Sequence, residues 1–220
     1  MDKAKLEEKK EAIKARLDIK DDDQSQQKQH QKFHRKIKLR ELMLRDWSNW
    51  SNSYVPFCGE GDIANELYSE YSKVFGVDID DEKLSTAKSR MPDSVFVNHD
   101  ANKFPMNWTE TFSLGDFDAY SNPYQSFVSF WKNANKSFPI LCFFTDSKVQ
   151  CMMWHSFVDM PDWGRYHLKD KKEKKLYMKK WKLKCIQWVK DYIGNKYKLV
   201  ETKQYQRHFT IYWGCVIDEQ

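Results

Sequence analysis

The sequence predicts an α/β fold with a mostly parallel, seven-stranded sheet closed by an antiparallel hairpin. Short apolar runs alternate with helix-like segments of about 10–15 residues, which is the pattern of βαβ units. The fifth apolar run, 139–145, has no polar face, as expected of a strand covered on both sides. The last two strand-like runs, 196–206 and 209–217, have no helix between them and so predict an antiparallel pair.

The order of the elements follows from the hydrophobic pattern. Apolar residues at helical spacing between Ile37 and Trp47 predict a helix ahead of the first strand. The predicted parallel strands are 54–58, 73–78, 95–97, 112–119 and 139–145. Helices are expected at 63–71, 81–90 and 123–133, and a long basic helix from Lys172 to Ile193 precedes the hairpin.

Composition sets the broad class of the protein. Residues 1–35 are almost all charged or polar, which predicts a flexible or helical extension before a domain over 36–220; a partner-binding arm is the alternative. Five cysteines without a CxxC pair argue against a metal site or a disulfide framework and favour a reducing compartment. No apolar stretch could span a bilayer and the N-terminus is charged, so we expect a cytoplasmic protein with no membrane partner.

A glycine-containing turn follows the first predicted strand. Phe57-Cys58-Gly59-Glu60-Gly61 leads into a helix, and glycine there permits positive φ and a close approach of ligand to backbone. Asp62 is the expected N-cap of that helix. Ile63 and Ala64 replace the third glycine of a GxGxxG pattern, which disfavours a dinucleotide with its pyrophosphate. A plain turn is the alternative interpretation.

Acidic residues end the next two predicted strands. Asp78, followed by Ile79, can accept hydrogen bonds from both hydroxyls of a ribose, while Asp80 is the better candidate to cap the next helix. Asp100, followed by Ala101, can accept a hydrogen bond from the amino group of an adenine. With the acid of the glycine turn, they favour a cationic nucleoside cofactor that carries no phosphate.

These features resemble the class I methyltransferases, a family with a Rossmann-like fold, over roughly residues 53–146 and the closing hairpin. The turn at 57–61 is similar to the family's first motif, 77–80 to its second and 98–100 to its third. The resemblance implies S-adenosylmethionine as the cofactor. The residues expected to bind it are Phe57, Cys58, Gly59, Glu60, Gly61, Asp78, Ile79, Asp100, Ala101 and Asp118.

The loop after the fourth predicted strand carries the candidate catalytic residues. It lies at the sheet edge where α/β proteins bind ligands. Asp118 can orient an exocyclic amine toward the methyl donor, and Tyr120 or Tyr124 can stack on a flat base. Asn122 and Pro123 complete the expected catalytic group. A strand end followed by a capped helix is the structural alternative.

The same loop resembles two motifs of amine methyltransferases. Residues 116–124 are similar to the Asp-x-Asp-Pro-Phe-Gly-Ser-Pro motif of the tRNA guanine-N2 dimethyltransferases, although Ala119, Ser121 and Asn122 depart from it. They also resemble the (Asp/Asn/Ser)-Pro-Pro-(Tyr/Phe) motif of DNA amino-methyltransferases, with Asn122 in place of the first proline. Because neither match is complete, both RNA and DNA stay open. The loop has no cysteine, which argues against methylation of a pyrimidine carbon.

A basic segment suggests the partner. Between Arg165 and Lys190 eleven lysines and arginines face two acids, an imbalance that fits contacts with the phosphates of a nucleic acid. The predicted phosphate contacts are Lys171, Lys172, Lys174 and Lys175. Aromatic residues and a cysteine recur at helical spacing in this segment and are expected to face the core. They are Tyr177, Trp181, Cys185, Trp188 and Tyr192.

The sequence therefore predicts methyl transfer from S-adenosylmethionine to an exocyclic amine of a base in RNA or DNA. One alternative is a methyltransferase for protein or small molecules, whose lysines serve only solubility. The other is a non-catalytic, methyltransferase-like binding subunit.

Overall fold

Seven strands form one mixed sheet in the computed structural model. They are Asn52–Pro56 (β1), Lys73–Asp78 (β2), Val95–Asn98 (β3), Thr111–Phe117 (β4), Asn135–Asp146 (β5), Tyr197–Arg207 (β8) and Thr210–Glu219 (β9). Their order across the sheet is β3-β2-β1-β4-β5-β9-β8. Phe157–Met160 (β6) and Gly164–His167 (β7) pair separately. The structure describes residues 30–119, 122–147, 157–160, 164–167, 171–207 and 210–220, and its account of side chains omits 30–35, 157–160, 164–167, 171–179, 182 and 205–207.

Helices cover both faces of the sheet. They are His30–Leu44 (α1), Asp62–Leu67 (α2), Asp81–Arg90 (α3), Tyr124–Asn133 (α4) and Lys171–Ile193 (α5). Buried side chains of α1, α2 and α3 form one apolar cluster with the sheet, and those of α4 and α5 form another. Within the described ranges, no helix is both long enough and apolar enough to cross a bilayer.

Strand directions agree with the predicted fold. β1 to β5 run parallel, whereas β9 is antiparallel to β5 and β8 is antiparallel to β9. This confirms a mostly parallel, seven-stranded sheet with a closing hairpin. The chain reverses its direction of travel across the sheet between β1 and β4, and such a switch point leaves a crevice at the carboxyl ends of the strands.

The first strand is shifted relative to its predicted range. It ends at Pro56 because Phe57 has a φ of 61°, a left-handed conformation that a strand cannot continue.

Of the two predicted helix caps, the one at Asp62 was wrong. Asp62 is the first helical residue of α2, and Gly61 occupies the cap position with a φ of 77°. Asp80, in contrast, is confirmed as the cap of α3, because its carboxylate accepts from the backbone N–H of Lys83.

The aromatic residues of α5 belong to the core. Trp181, Cys185 and Trp188 are buried, as the helical spacing predicts, and Tyr192 is partly buried. The side chain of Tyr177 lies outside the described part of the chain. Because these residues anchor α5 on the face that α4 also covers, the exposed lysines of α5 that the structure describes, Lys180 and Lys190, point away from the core.

A buried ion pair attaches α1 to the centre of the sheet. Nε and Nη2 of Arg40 lie 2.7 Å and 2.5 Å from the two carboxylate oxygens of Asp116 on β4. The hydroxyl of Tyr68 donates to the same carboxylate at 2.6 Å. Burial alone would lower the pKa of the guanidinium, but the charge of Asp116 and its hydrogen bond, together with Tyr68 and Asp118, outweigh burial and raise that pKa. The guanidinium therefore stays charged in the core.

Replacing Arg40 should destabilise the fold strongly. In Arg40→Met the carboxylate of Asp116 stays buried without its cation, so we expect the free energy of unfolding to fall by about 3–5 kcal/mol. Urea unfolding measures this loss. Arg45→Met is the matched control, because Arg45 is 41% exposed and pairs with Asp46 only at 3.4 Å; its effect should stay within about 0.5 kcal/mol. Equal effects of the two substitutions would contradict the assignment.

Candidate functional site

A pocket of about 540 Å³ opens at the carboxyl ends of β1, β4 and β5. The glycine turn forms one wall with Phe57, Cys58, Gly59 and Glu60. Hydroxyl-bearing residues form the opposite wall, from the end of β5 and the start of β9. They are Thr145, Ser147, Thr210 and Tyr212. The pocket thus lies at the switch point of the sheet, where the fold leaves a crevice for ligands.

The glycine turn is held open by its backbone conformation. Gly59 and Gly61 have φ values of 53° and 77°, which glycine adopts at little cost. The N–H of Gly59 donates to Oδ2 of Asp78 at 2.8 Å, so the end of β2 fixes the turn. A Cβ on Gly61 would lie 2.6 Å from Cε of Met91 and 3.2 Å from Cβ of Ala87. The second glycine therefore lets the turn pack directly on α3.

An arginine at the end of α3 also holds the turn. Nη1 of Arg90 donates to the carbonyl of Glu60 at 3.1 Å and to the carboxylate of Asp62. Both acids line the pocket. Arg90 was absent from the predicted site because an arginine in the last turn of a helix is usually explained by the helix dipole alone.

The predicted cofactor residues of β2 and β3 lie together at the same sheet edge. The carboxylate of Asp78 accepts from the N–H groups of Gly59 and Asp80, at 2.8 Å and 3.0 Å. Asn98 ties the two strand ends by donating to the carbonyl of Ile79 at 3.0 Å. Ile79, at 73% exposure, is the most exposed large apolar side chain in the described part of the chain. These residues stand beside the pocket wall rather than in it.

The end of β3 is the least open part of this edge. Oδ1 of Asp100 accepts from the N–H of Asn102 at 3.0 Å, and its Oδ2 lies 3.4 Å from Nζ of Lys103. Ala101 is buried, so its side chain has almost no surface for a ligand. Asp100 keeps a third of its side chain exposed and remains available.

Asp118 follows β4 and faces a lysine inside the pocket. Nζ of Lys36, on α1, lies 2.7 Å and 2.8 Å from its two carboxylate oxygens. Burial would raise the pKa of Asp118, but the charges of Lys36 and Arg40 outweigh it and hold that pKa below its usual value. Asp118 is therefore an anion at neutral pH, and an ammonium group already occupies its hydrogen-bonding face.

The other residues of the predicted catalytic loop that the structure describes have structural roles. Asn122 Oδ1 accepts from the backbone N–H of Tyr124 at 3.1 Å, and Pro123 is the buried N-cap of α4. Tyr120 lies outside the described residues. The prediction that Tyr124 stacks on a base is wrong in this structure. Its ring is wholly buried against Phe144 and Trp188, and its hydroxyl donates to a buried aspartate.

The predicted phosphate contacts lie on α5. The backbone of Lys171, Lys172, Lys174 and Lys175 is helical, as predicted, while their side chains lie outside the described part of the chain.

The sequence analysis did not include Lys36 and Arg40 among the site residues. The only feature of the sequence that could have indicated them is their spacing. Four residues apart on one helix, they share a face with the apolar side chains that pack on the sheet.

Cys58 lies in the pocket wall but is a poor nucleophile. Burial, with the nearby charge of Asp78, raises the pKa of its thiol to about 12. The thiolate is therefore rare at neutral pH, and a covalent mechanism through Cys58 is disfavoured. The other cysteines in the described ranges, Cys142, Cys185 and Cys215, are buried free thiols.

No protein-family model and no curated protein matches the sequence significantly. Solved structures do share its fold. The N-methyltransferase NodS from Bradyrhizobium japonicum WM9, in complex with S-adenosyl-L-homocysteine, is 12% identical over 96% of this chain and 98% of its own, with a TM-score of 0.55. DhpI, also in complex with S-adenosylhomocysteine, is 12% identical over 96% and 95%, with a TM-score of 0.51. TrmN from Thermus thermophilus is 13% identical over 84% of this chain and 49% of its own, with a TM-score of 0.50. The chain therefore has the fold of class I methyltransferases, as predicted.

Replacing Gly61 should lower the free energy of unfolding by more than its positive φ alone explains. Gly61→Ala combines positive φ with a Cβ pressed against α3, so we expect a loss of about 2–5 kcal/mol in the free energy of unfolding. Gly194→Ala is the matched control, because Gly194 has a φ of 80° and no atom within 4 Å of its Cβ position. The control should lose only about 1–2 kcal/mol. Equal losses would show that α3 yields to the added methyl group.

The Lys36–Asp118 pair should stabilise the fold in a pH-dependent way. Because the folded pKa of Asp118 is depressed, its contribution is present above the unfolded pKa of about 3.9 and is lost as pH falls through the folded value. We expect Lys36→Met to cost about 1–2 kcal/mol at pH 7 and progressively less below about pH 4. Urea unfolding of wild type and Lys36→Met, carried out between pH 3 and 7 in steps of about one pH unit, measures the difference in free energy of unfolding. Lys38→Met, at an exposed position of the same helix, should show no such trend.

Proposed function

We propose that the protein is an S-adenosylmethionine-dependent methyltransferase that acts on an exocyclic amine of a base in RNA or DNA. The observation that carries the proposal is the pocket at the switch point. A glycine turn fixed by Asp78 and the residue Asp118 line this same cavity. A turn that can bind a nucleoside and an acid that can orient an amine would then serve one ligand site.

The charges of the pocket fit this cofactor better than a phosphate-bearing one. Its walls carry four acids, Glu60, Asp62, Asp116 and Asp118, and two lysines. Each lysine is already paired: Lys36 with Asp118, and Lys83 with Asp80 at 3.0 Å. Neither lysine is left free to bind a phosphate, so a polyanion is disfavoured. Two structures with this fold, NodS and DhpI, contain S-adenosylhomocysteine, which supports the choice of ligand.

The end of β2 would hold the nucleoside part of the cofactor. The carboxylate of Asp78 has about four lone-pair sites and uses two of them for backbone N–H groups. The remaining sites can accept from the ribose hydroxyls. The exposed side chain of Ile79 offers an apolar surface for the flat face of an adenine, and Asp100 stands at the next strand end to accept from its amino group.

When bound, the cofactor supplies a methyl group activated by a sulfonium. The protein supplies position and electrostatics. A carboxylate has about four lone-pair sites, and Lys36 uses one on each oxygen of Asp118, so a remaining site would accept a hydrogen bond from the acceptor amine and orient it toward the methyl donor. Lys36 and Arg40 keep Asp118 ionised for this task. Phe57, Val55 and Ile63 make part of the wall apolar, which excludes water from the methyl donor.

A nucleic acid is the favoured acceptor because of α5. Its buried stripe fixes the helix on the sheet, and its described exposed lysines, Lys180 and Lys190, face solvent. Lys171, Lys172, Lys174 and Lys175 belong to the same helix, and such a density of lysines in one segment of the sequence suits a phosphate backbone. If the acceptor were a protein or a small-molecule amine, or if the chain were only a binding subunit, these lysines would have no role beyond solubility.

One set of measurements tests this function. We expect calorimetry to detect S-adenosylhomocysteine binding. Asp78→Asn should weaken that binding about ten- to a hundredfold, because one charged acceptor is lost. Asp93→Asn, at an exposed position near the end of α3, is the matched control. Mass spectrometry of nucleosides should then find a methylated amine after incubation with cofactor and mixed RNA and DNA, and Asp118→Asn should reduce it roughly a hundredfold.

The outcomes separate the alternatives. Absence of binding heat would overturn the cofactor and favour the binding subunit. Binding without a methylated nucleoside would overturn the nucleic acid and favour a protein or small-molecule acceptor.

A further inference from the structure

Asp118, the acid proposed to orient the acceptor amine, already binds an amine of the chain itself. Nζ of Lys36 lies within 2.8 Å of both oxygens of Asp118, and both residues line the pocket of the glycine turn. Lys36 keeps a quarter of its side chain exposed. A primary amine therefore stands beside the acid that is proposed to orient the acceptor.

The backbone fixes this amine in place. Nη1 of Arg40 donates to the carbonyl of Lys36 at 3.0 Å, while the rest of the guanidinium is bound to Asp116 on β4. The stem of Lys36 thus starts from an anchored point beside the pocket. An anchored group in the same molecule has a high effective concentration, which favours reaction within the chain over reaction between chains.

We propose that the protein methylates its own Lys36. The inference rests on the proposed cofactor and adds a modification site that the nucleic-acid acceptor does not require. The ammonium first releases a proton to solvent water through the open mouth of the pocket. The freed lone pair of Nζ then forms a bond to the methyl carbon of S-adenosylmethionine. The carbon–sulfur bond breaks, its electron pair stays on sulfur, and S-adenosylhomocysteine remains with a protonated N-methyl-lysine.

Methylation would change the pair with Asp118 without removing its charge. Mono- and dimethyl-lysine keep at least one N–H to donate to the carboxylate, whereas trimethyl-lysine keeps none. We therefore expect the reaction to favour one or two methyl groups. Each added methyl group also fills space between Asp118 and the mouth of the pocket, so the modified chain should admit an external amine less readily.

Mass spectrometry of the protein tests this directly. After incubation of the full chain with S-adenosylmethionine that carries a deuterated methyl group, a peptide containing Lys36 should gain one or two labelled methyl groups. The rate should not depend on protein concentration. It should rise with pH, because only a neutral amine has the lone pair that reacts. Lys36→Arg should abolish the gain, while Lys38→Arg, at an exposed position two residues away, should not.

A second readout needs no transfer at all. A lysine-acetylating reagent should label Lys36 more slowly than Lys38, and S-adenosylhomocysteine should slow the labelling of Lys36 but not that of Lys38, because Lys36 lines the pocket and Lys38 does not. If bound S-adenosylhomocysteine did not slow the labelling of Lys36, the placement of Lys36 in the cofactor pocket would be overturned.

The failures are distinguishable. Calorimetric binding of S-adenosylhomocysteine without methyl gain on Lys36 between about pH 7 and 9 would overturn self-methylation and leave the proposed function standing. Equal labelling of Lys36 and Lys38 by the deuterated cofactor would overturn it as well. Absence of binding would remove the cofactor on which both depend.

Discussion

The bidentate pair of Arg40 and Asp116 is the interaction on which the rest of the site depends. A carboxylate at the centre of a parallel sheet is costly to bury, and it is tolerated here because a guanidinium and a tyrosine hydroxyl satisfy it together. Since the guanidinium comes from α1, this helix must pack across the sheet for Asp116 to be neutralised. That packing carries Lys36 to Asp118, so one buried charge determines how the part of the pocket around Asp118 is arranged.

The cofactor side depends on a different constraint, which is steric. A Cβ on Gly61 would press on Met91 and Ala87 at α3, and Gly59 is tied to the end of β2 through Asp78. The turn is thereby fixed from two sides, by packing and by a hydrogen bond to a carboxylate. Arg90 adds a third attachment through Glu60 and Asp62. A turn held in this way can present its backbone to a ligand without rearranging.

Much of the fold could be predicted because strand order and direction follow from local patterns. Alternating apolar runs and helices gave the parallel sheet, and the missing helix before the last strand gave the hairpin. The cap at Asp80 and the core stripe of Trp181, Cys185 and Trp188 were also predictable from spacing. The turn residues and Asp118 were placed correctly at the sheet edge, because that edge collects the residues that follow parallel strands.

The rest depended on contacts between segments far apart in the sequence. Lys36 reaches Asp118 across 82 positions, and no local pattern reports such a pairing. Tyr124 shows the opposite problem: its place after a loop suggested exposure, but the first turn of α4 points it into the core, where Phe144 and Trp188 cover it. Residue type alone does not say whether an aromatic ring serves a ligand or the core.

The origin of the pocket walls has a consequence for how the protein is made. Lys36 comes from α1, near the start of the described chain, and Tyr212 from β9, its last strand. β9 inserts between β5 and β8, so the sheet stays open next to β5 until the final strand arrives. A ribosome that has released only the first five strands holds a chain whose cavity lacks a wall. Ligand binding would therefore report that β9 is in place, and a chain without β9 would lose one wall of the pocket while keeping most of its helices.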